Sequence, residues 1–252
     1  MHPIYAMWSH PRSMSTAIER IMRERGDLNC AHEPFMYDYY VNRSNAMPHF
    51  DVDPDHPQTY ADIRDMLIER AQTGPVFFKD MSYYVVPHIL DDEQFRPHLK
   101  NVFLVRRPKA AIVSYHKLDP KVSSDEIGIA AQWRHLQGLM EQGETPLVIR
   151  SEDVRENPRG VMTALWTAVG LPPADHAFDW AGSDVPQDWQ QVSGWHGQVT
   201  SSTGIAPPDP AAEEKEDRKF EAACAEAPHL RDYLAAHLPA YEQLSGLALK
   251  SD

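Results

Sequence analysis

The chain is short of cysteine, of glycine and of positive charge, and each shortage excludes something. Its 252 residues include two cysteines, Cys30 and Cys224. Two thiols are too few for a disulfide scaffold, and they read as free thiols in a reducing compartment. Twelve glycines against 21 prolines indicate many fixed corners and few flexible tracts. The formal charge is −13, and a bulk field of that sign argues against nucleic acid or an anionic membrane as partner. No stretch approaches the roughly 18 uninterrupted apolar residues of a membrane span. Met1–His10 has no cationic start followed by an apolar run, so no signal peptide is expected and a cytoplasmic location is the default.

What remains is a globular composition, 42% hydrophobic and 24% charged, long enough for one domain with a substantial core. The charge is unevenly spread. Arg96–Lys121 holds seven basic residues and one acid, Asp119, whereas Leu171–Asp252 holds five basic residues and fourteen acids. A basic island in an acidic chain is either a solvated helix face or a pocket for a small polyanion.

Strands and helices alternate along the sequence. Ile4-Tyr5-Ala6-Met7-Trp8 is a short apolar run that feeds a tight loop and then a helical pattern carrying Ile18, Ile21 and Met22. Leu28–His32, Pro75–Lys79, Val102–Val105 and Pro146–Ile149 read as further strands. The continuous apolar runs suit strands covered by helices on both faces. Helices are predicted over Tyr60–Ala71, Ala110–Leu118 after Pro108, Ile127–Gln142, from Pro158 to Gly170, over Ala211–Ala225, and in a shorter piece near Leu230–His237. Asn42–Pro57 and Ser183–Pro210 read as long loops. The class is therefore α/β, a three-layer fold with a central, mainly parallel sheet flanked by helices. Neither an internal repeat nor a domain boundary is visible.

Two segments carry chemistry. The first is the turn Ser9-His10-Pro11-Arg12-Ser13-Met14-Ser15-Thr16, where a strand runs into a helix. A helix N-terminus there offers N–H groups and a positive dipole end to a phosphate. Against the pattern G-x-x-x-x-G-K-[ST], Ser9 and Met14 stand for the glycines and Ser15 for the lysine, which makes a poor ATP or GTP loop. The same residues also read as an N-capping Ser/Thr cluster. The second segment places Arg106 at the end of a strand and Ser114 eight residues on, in the next helix. Arg106 is thereby at the crevice where open α/β sheets take ligands, unless it merely pairs with a surface carboxylate.

Taken together and in this order, these segments resemble the sulfotransferases that use 3′-phosphoadenosine 5′-phosphosulfate (PAPS). Pro11–Thr16 is similar to that family's 5′-phosphosulfate loop, and Arg106 with Ser114 to its 3′-phosphate motif. Glu152-Asp153-Val154, Pro158 and Val169-Gly170-Leu171-Pro172 are similar to its next strand-loop-helix, so the resemblance spans residues 3 to about 173. Gly194-Trp195-His196-Gly197 and Thr200–Gly204 resemble, more loosely, the segment that closes over the nucleotide.

The resemblance implies a P-loop NTPase-like fold in one unit, with residues 1–173 as nucleotide-binding core and residues 174–252 covering the site. It implies sulfuryl transfer from PAPS to a hydroxyl or amine of a small acceptor, without a metal. Arg12, Ser13, Met14, Ser15 and Thr16 would hold the 5′-phosphosulfate, Arg106 and Ser114 the 3′-phosphate. Lys79 stands where the family often places a lysine on the bridging oxygen. Met81 stands where the cytosolic branch has a histidine, so the base must lie elsewhere. Other branches use a glutamate soon after the second strand, which makes Glu33 the first choice and His32 the reserve. A structural salt bridge at Glu33, an exposed strand-end Lys79, a P-loop kinase or hydrolase, and a catalytically silent nucleotide binder are the competing readings. Tyr37, Tyr39, Tyr40, Tyr83 and Tyr84 are either an acceptor pocket or core.

Overall fold

Five strands form one parallel sheet in the computed structural model, which describes residues 1–45, 50–180, 184, 186–192 and 202–250. The order is β2(Asn29–His32), β3(Val76–Met81), β1(Ile4–Ser9), β4(Leu99–Val105), β5(Leu147–Arg150). All four pairings are parallel. β1 lies between β3 and β4, and all six of its residues are buried. The chain steps from β1 to one side to build β2 and β3, then crosses to the other for β4 and β5. The C-terminal end of β1 is thus the switch point at which such sheets open a crevice.

Alternation along β1 divides the core in two. Ile4, Ala6 and Trp8 enter one apolar cluster, while Tyr5 and Met7 enter the other, as a period of two requires. On the first face lie α2(Tyr60–Thr73), α3(Ser82–Ile89), α6(Ile129–Glu141), α9(Ala212–Glu226) and α10(Leu230–Gly246), through Ile63, Leu67, Val85, Leu136, Phe220 and Leu244. On the second lie α1(Ser15–Glu24) and α8(Pro158–Val169), through Ile18, Ile21, Met22, Val161, Leu165 and Trp166. α4(Pro108–Leu118) starts with its proline in the first turn, where the missing N–H costs nothing. α7(Ser151–Glu156) follows β5 directly.

Several elements depart from the sequence expectation. β3 runs on through Met81, so Lys79 lies inside the strand. Ser82–Ile89, to which the sequence pattern assigns no element, folds as α3 despite the strand propensity of Tyr and Val. Burial of Tyr84, Val85 and Ile89 overrides that propensity. The expected Ile127–Gln142 helix is present over Ile129–Glu141 and is preceded by a further short one. A capping box of Ser123 and Glu126 starts the short α5(Ser124–Ile127), Gly128 adopts φ +80°, and α6 begins anew. A Cβ at Gly128 would meet Tyr83 Cδ1 at 3.1 Å and His10 Cβ at 3.2 Å, so both space and backbone demand glycine. α10 runs to Gly246, well beyond His237. Past it, Leu249 N donates to Val148 O at 2.7 Å, and Ala248 bridges Val148 on β5.

Candidate active site

The loop after β1 is held in a shape that side chains resist. Arg12 (φ 64°) and Met14 (φ 71°) are both left-handed, a conformation costing of order 1 kcal/mol or more for a residue with a Cβ. Met14 is the residue that caps α1, and no side chain caps the helix N-terminus there. The Ser/Thr cluster is therefore not a capping device. Ser13, Ser15 and Thr16 are nonetheless buried at the start of α1. Ser13 Oγ has no hydrogen-bond partner among the described residues, which fits a ligand oxygen better than a closed loop.

Neighbouring strands brace this loop. His10 Nδ1 donates to Pro11 O at 3.0 Å, and its Nε2 accepts from Arg106 N at 3.0 Å. Burial, foremost, lowers the His10 pKa to about 3, so the ring is neutral, as this double role requires. Ser151 Oγ lies 2.5 Å from Ser13 O and 3.2 Å from Val105 O, joining the loop to β4 and α7.

The two predicted phosphate motifs meet. Arg12 Nε donates to Ser114 Oγ at 2.9 Å, and Arg106 Nη1 donates to Arg12 O at 2.9 Å. Residues about 100 positions apart thus form one polar chain from the loop after β1 to α4. Beside it is a cleft of about 230 Å³ whose lining includes Arg106, Arg107, Ser151, Arg155 and Glu216. Arg155 Nη2 lies 3.9 Å from Met14 Sδ.

A second cluster forms on the β2–β3 side of the loop. His32 and Lys79 face each other in register across the two strands. Lys79, 1% exposed, is in direct contact with Glu33 Oε1. This excludes the exposed strand-end alternative for Lys79. Glu33 is left-handed at φ 40°, and its N–H donates to Lys79 O at 3.1 Å. His32 Nδ1 donates to Glu19 Oε2 at 2.7 Å, and its Nε2 lies 4.0 Å from Glu33 Oε1. Burial first, and then the Lys79 charge, pushes the His32 pKa down to about 3. The ring is a neutral Nδ1–H tautomer whose Nε2 is the basic nitrogen.

Glu19 is the hub of that cluster. It is fully buried on α1, and Oε1 accepts from Trp189 Nε1 at 2.8 Å and from Arg23 Nε at 2.8 Å. Arg23 also pairs with Asp188 at 2.5 Å, so the 187–192 segment is tied to α1. Next to Lys79, Asp80 is buried, with Oδ2 accepting from Phe35 N at 2.7 Å and Oδ1 from Met81 N at 2.9 Å. Burial, foremost, raises its carboxyl well above the usual range, and the nearby Glu33 charge adds to that.

Arg12, Ser13, Met14, Arg106 and Ser114 lie in the first of these clusters and Glu33, His32 and Lys79 in the second, while Ser15 and Thr16 are buried in the first turn of α1. Sequence reasoning missed Glu19, His10, Arg155 and Trp189. A signal for Glu19 existed: Ser15, Glu19 and Met22 share one helical face at i, i+4, i+7, and a carboxylate on a buried stripe demands partners. The tyrosines form a packed core group, with Tyr37, Tyr40, Tyr83 and Tyr84 at most 9% exposed and only Tyr39 half-buried. Gly194–Gly197 and Thr200–Ser201 lie outside the described residues, as do most of positions 181–201. Among the described residues no cluster of His, Cys, Asp and Glu is arranged to hold a metal ion, and no helix is long and apolar enough to cross a membrane.

Comparison with known proteins agrees with this geometry. The family described as "Sulfotransferase domain" matches residues 3–238. The chain is similar in structure to the sulfotransferase domain from the Synechococcus PCC 7002 olefin synthase. The TM-score is 0.59 at 19% identity, covering 88% of this chain and 94% of that one. It is also similar to the sulfotransferase domain from the curacin biosynthetic pathway, with a TM-score of 0.55 at 16% identity, covering 89% and 98%. At these identities the likeness speaks for the fold. Among curated proteins, branched-chain-amino-acid aminotransferase-like protein 2 of Arabidopsis thaliana is 23% identical over 221 residues, 82% of this chain. Protein 1 of the same name and plant is 24% identical over 214 residues, 80% of this chain. The matches span 37% and 36% of those relatives' own length.

Proposed function

The chain belongs to the sulfotransferase-domain family, and from that premise we propose that it transfers the sulfuryl group of PAPS to a hydroxyl or amine of a small acceptor. The observation that carries this reading is the polar chain Ser114–Arg12–Arg106, which joins the loop after β1 to the end of β4 and to α4. We infer the same division as the sequence suggests, residues 1–173 holding the nucleotide and residues 174–252 covering it.

The roles follow from charge flow. The acceptor oxygen or nitrogen forms a bond to sulfur, the bond from sulfur to the 5′-phosphate oxygen breaks, and the acceptor proton passes to a base. Negative charge grows on the departing phosphate oxygen, so cations and N–H dipoles already in place there lower the barrier. Arg12, the first turn of α1 and Lys79 are those groups. Glu33 is the base. As its carboxylate takes the proton it ceases to neutralise Lys79, and the ammonium is released to the departing oxygen as charge arrives. His32, fixed by Glu19, stands behind Glu33 as a neutral acceptor. Arg106 and Ser114 hold the 3′-phosphate.

Calorimetric titration with 3′,5′-ADP beside ordinary ADP tests the donor. Clear preference for the 3′-phosphate is expected, and Arg106→Ala should cost about 1.5–3 kcal/mol of it. Equal affinity for the two nucleotides sinks the assignment. Radiolabelled PAPS with a panel of small alcohols, phenols and amines then tests the transfer itself.

A further inference from the structure

The acidic C-terminal third and the basic island lie against each other. α9 presents Glu213, Glu216 and Asp217, one helical face at i, i+3, i+4, to the end of β4 and the start of α4. Glu213 Oε2 pairs with Arg107 Nη1 at 2.8 Å and Asp217 Oδ1 with Lys109 at 2.9 Å. Those two acids are largely exposed and are ordinary surface pairs, worth little.

Glu216 differs from its neighbours. Its side chain is 18% exposed, and it bridges two guanidinium groups, with Oε1 at 3.2 Å from Arg106 Nη2 and Oε2 at 3.1 Å from Arg107 Nε. One anion spanning two arginines is the arrangement by which proteins hold phosphate oxygens. The same cleft carries a third cation. Arg155 lines it half-buried, and among the described residues no carboxylate lies within 4.0 Å of Arg155. Burial, then the Arg106 charge, lowers its pKa, as expected of a guanidinium set beside like charges.

We propose that Glu216 is a built-in competitor for the 3′-phosphate, so that donor binding is coupled to release of α9. The Glu216 carboxylate holds the place of the 3′-phosphate on Arg106 and Arg107, and only a nucleotide carrying that phosphate displaces it, with Arg155 as a further phosphate ligand. The inference rests on the donor reading above. A phosphate dianion carries twice the charge of the carboxylate and adds a third acceptor oxygen, which Arg155 matches. A nucleotide ending in a free 3′-hydroxyl brings nothing to exchange, so Glu216 stays on Arg106 and α9 stays in place.

Glu216→Gln separates these statements, with Glu214→Gln as control. Glu214 stands on the same helix and pairs with Arg218 in solvent, so it carries the same charge change without the contact. Calorimetry at fixed ionic strength should show Glu216→Gln binding 3′,5′-ADP about tenfold more tightly than the parent chain, with ADP unchanged and Glu214→Gln unchanged for both. No gain for 3′,5′-ADP, or an equal gain for both nucleotides, overturns the inference while a parental preference for 3′,5′-ADP leaves the donor reading standing. Parent and variant that both ignore the 3′-phosphate overturn the donor reading and the inference with it. Amide exchange on the unmodified protein gives a second measurement. Saturating 3′,5′-ADP should speed exchange in the first turns of α9, Ala212–Asp217, and saturating ADP should not. Exchange there that is unmoved by bound 3′,5′-ADP refutes the displacement.

Discussion

Lys79 Nζ and Glu33 Oε1 are in direct contact inside the protein, with side chains 1% and 7% exposed. Each charge is tolerable there only because the other is present. The pair also ties β3 to the turn after β2, and Glu19 on α1 lies 4.0 Å from Lys79 Nζ.

Removing one half of the pair should separate chemistry from binding. Glu33→Gln is expected to lower turnover by about 10²–10⁴-fold, the usual worth of a general base, with 3′,5′-ADP affinity nearly intact. Single-turnover assays beside calorimetry check it. Turnover that survives in Glu33→Gln removes Glu33 as the base.

The same pair makes a stability prediction. Lys79→Met leaves the Glu33 carboxylate buried and should cost about 3–5 kcal/mol in urea unfolding. Adding Glu33→Leu should recover part of that loss. Additive costs in the double variant would mean the two groups are independent.

Glu19 ties α1 to β2 and to Trp189. Glu19→Gln replaces its charge-assisted bonds to His32 and Arg23 by neutral ones, and a loss of about 1.5–3 kcal/mol is expected. An unfolding midpoint equal to that of the parent would show that the buried network holds nothing together.

Acid should weaken the fold early. His10, His32 and His135 are buried with pKa values lowered to about 3, burial being the first cause in each. In the unfolded chain each titrates at its ordinary 6.5. Between those limits the unfolded state binds more protons, so stability rises with pH over that window and is lost as pH falls from about 6.5 toward 3. Asp80, with its carboxyl raised, acts in the opposite sense above its ordinary 3.8, one group against three. Melting temperatures should fall steadily from pH 7 to pH 5. A flat or rising profile refutes neutral histidines at these positions.

Met14 tests the loop conformation. At φ 71° a β-branched side chain is strongly disfavoured, so Met14→Ile should lower stability by about 1–3 kcal/mol. Met14→Gly relieves the backbone and should lie well above Met14→Ile in a thermal melt. Equal melting temperatures for the two would argue against a left-handed residue there.

The legible parts of this protein were the contiguous ones. The run Ile4–Trp8, the loop after it and the Arg106–Ser114 spacing each lie within one stretch of chain, where period and turn chemistry act locally. The strand-loop-helix placement of both segments could be read because each needs only a strand end and the helix that follows. Glu19–His32 and Arg106–Glu216 could not, since they join positions that only the sheet order and the return of α9 bring together. The need for glycine at 128, between α5 and α6, was hidden for a similar reason: it is set by Tyr83 and His10, far away in sequence. Charge distribution lay between these cases. It marked the basic island, yet the acidic residues that cover it were read as a separate surplus.

Because β1 is enclosed by β3 and β4, the strand that ends in the loop carrying Arg12 and Ser13 has no edge at which to fray. Strands so placed open only when the whole domain opens. Arg12 and Ser13 hang from the end of that strand, and Lys79 belongs to its neighbour. Partial unfolding of the periphery, at α9 or at the β5 edge, leaves this floor standing, so anion binding at the loop should persist until the cooperative transition itself.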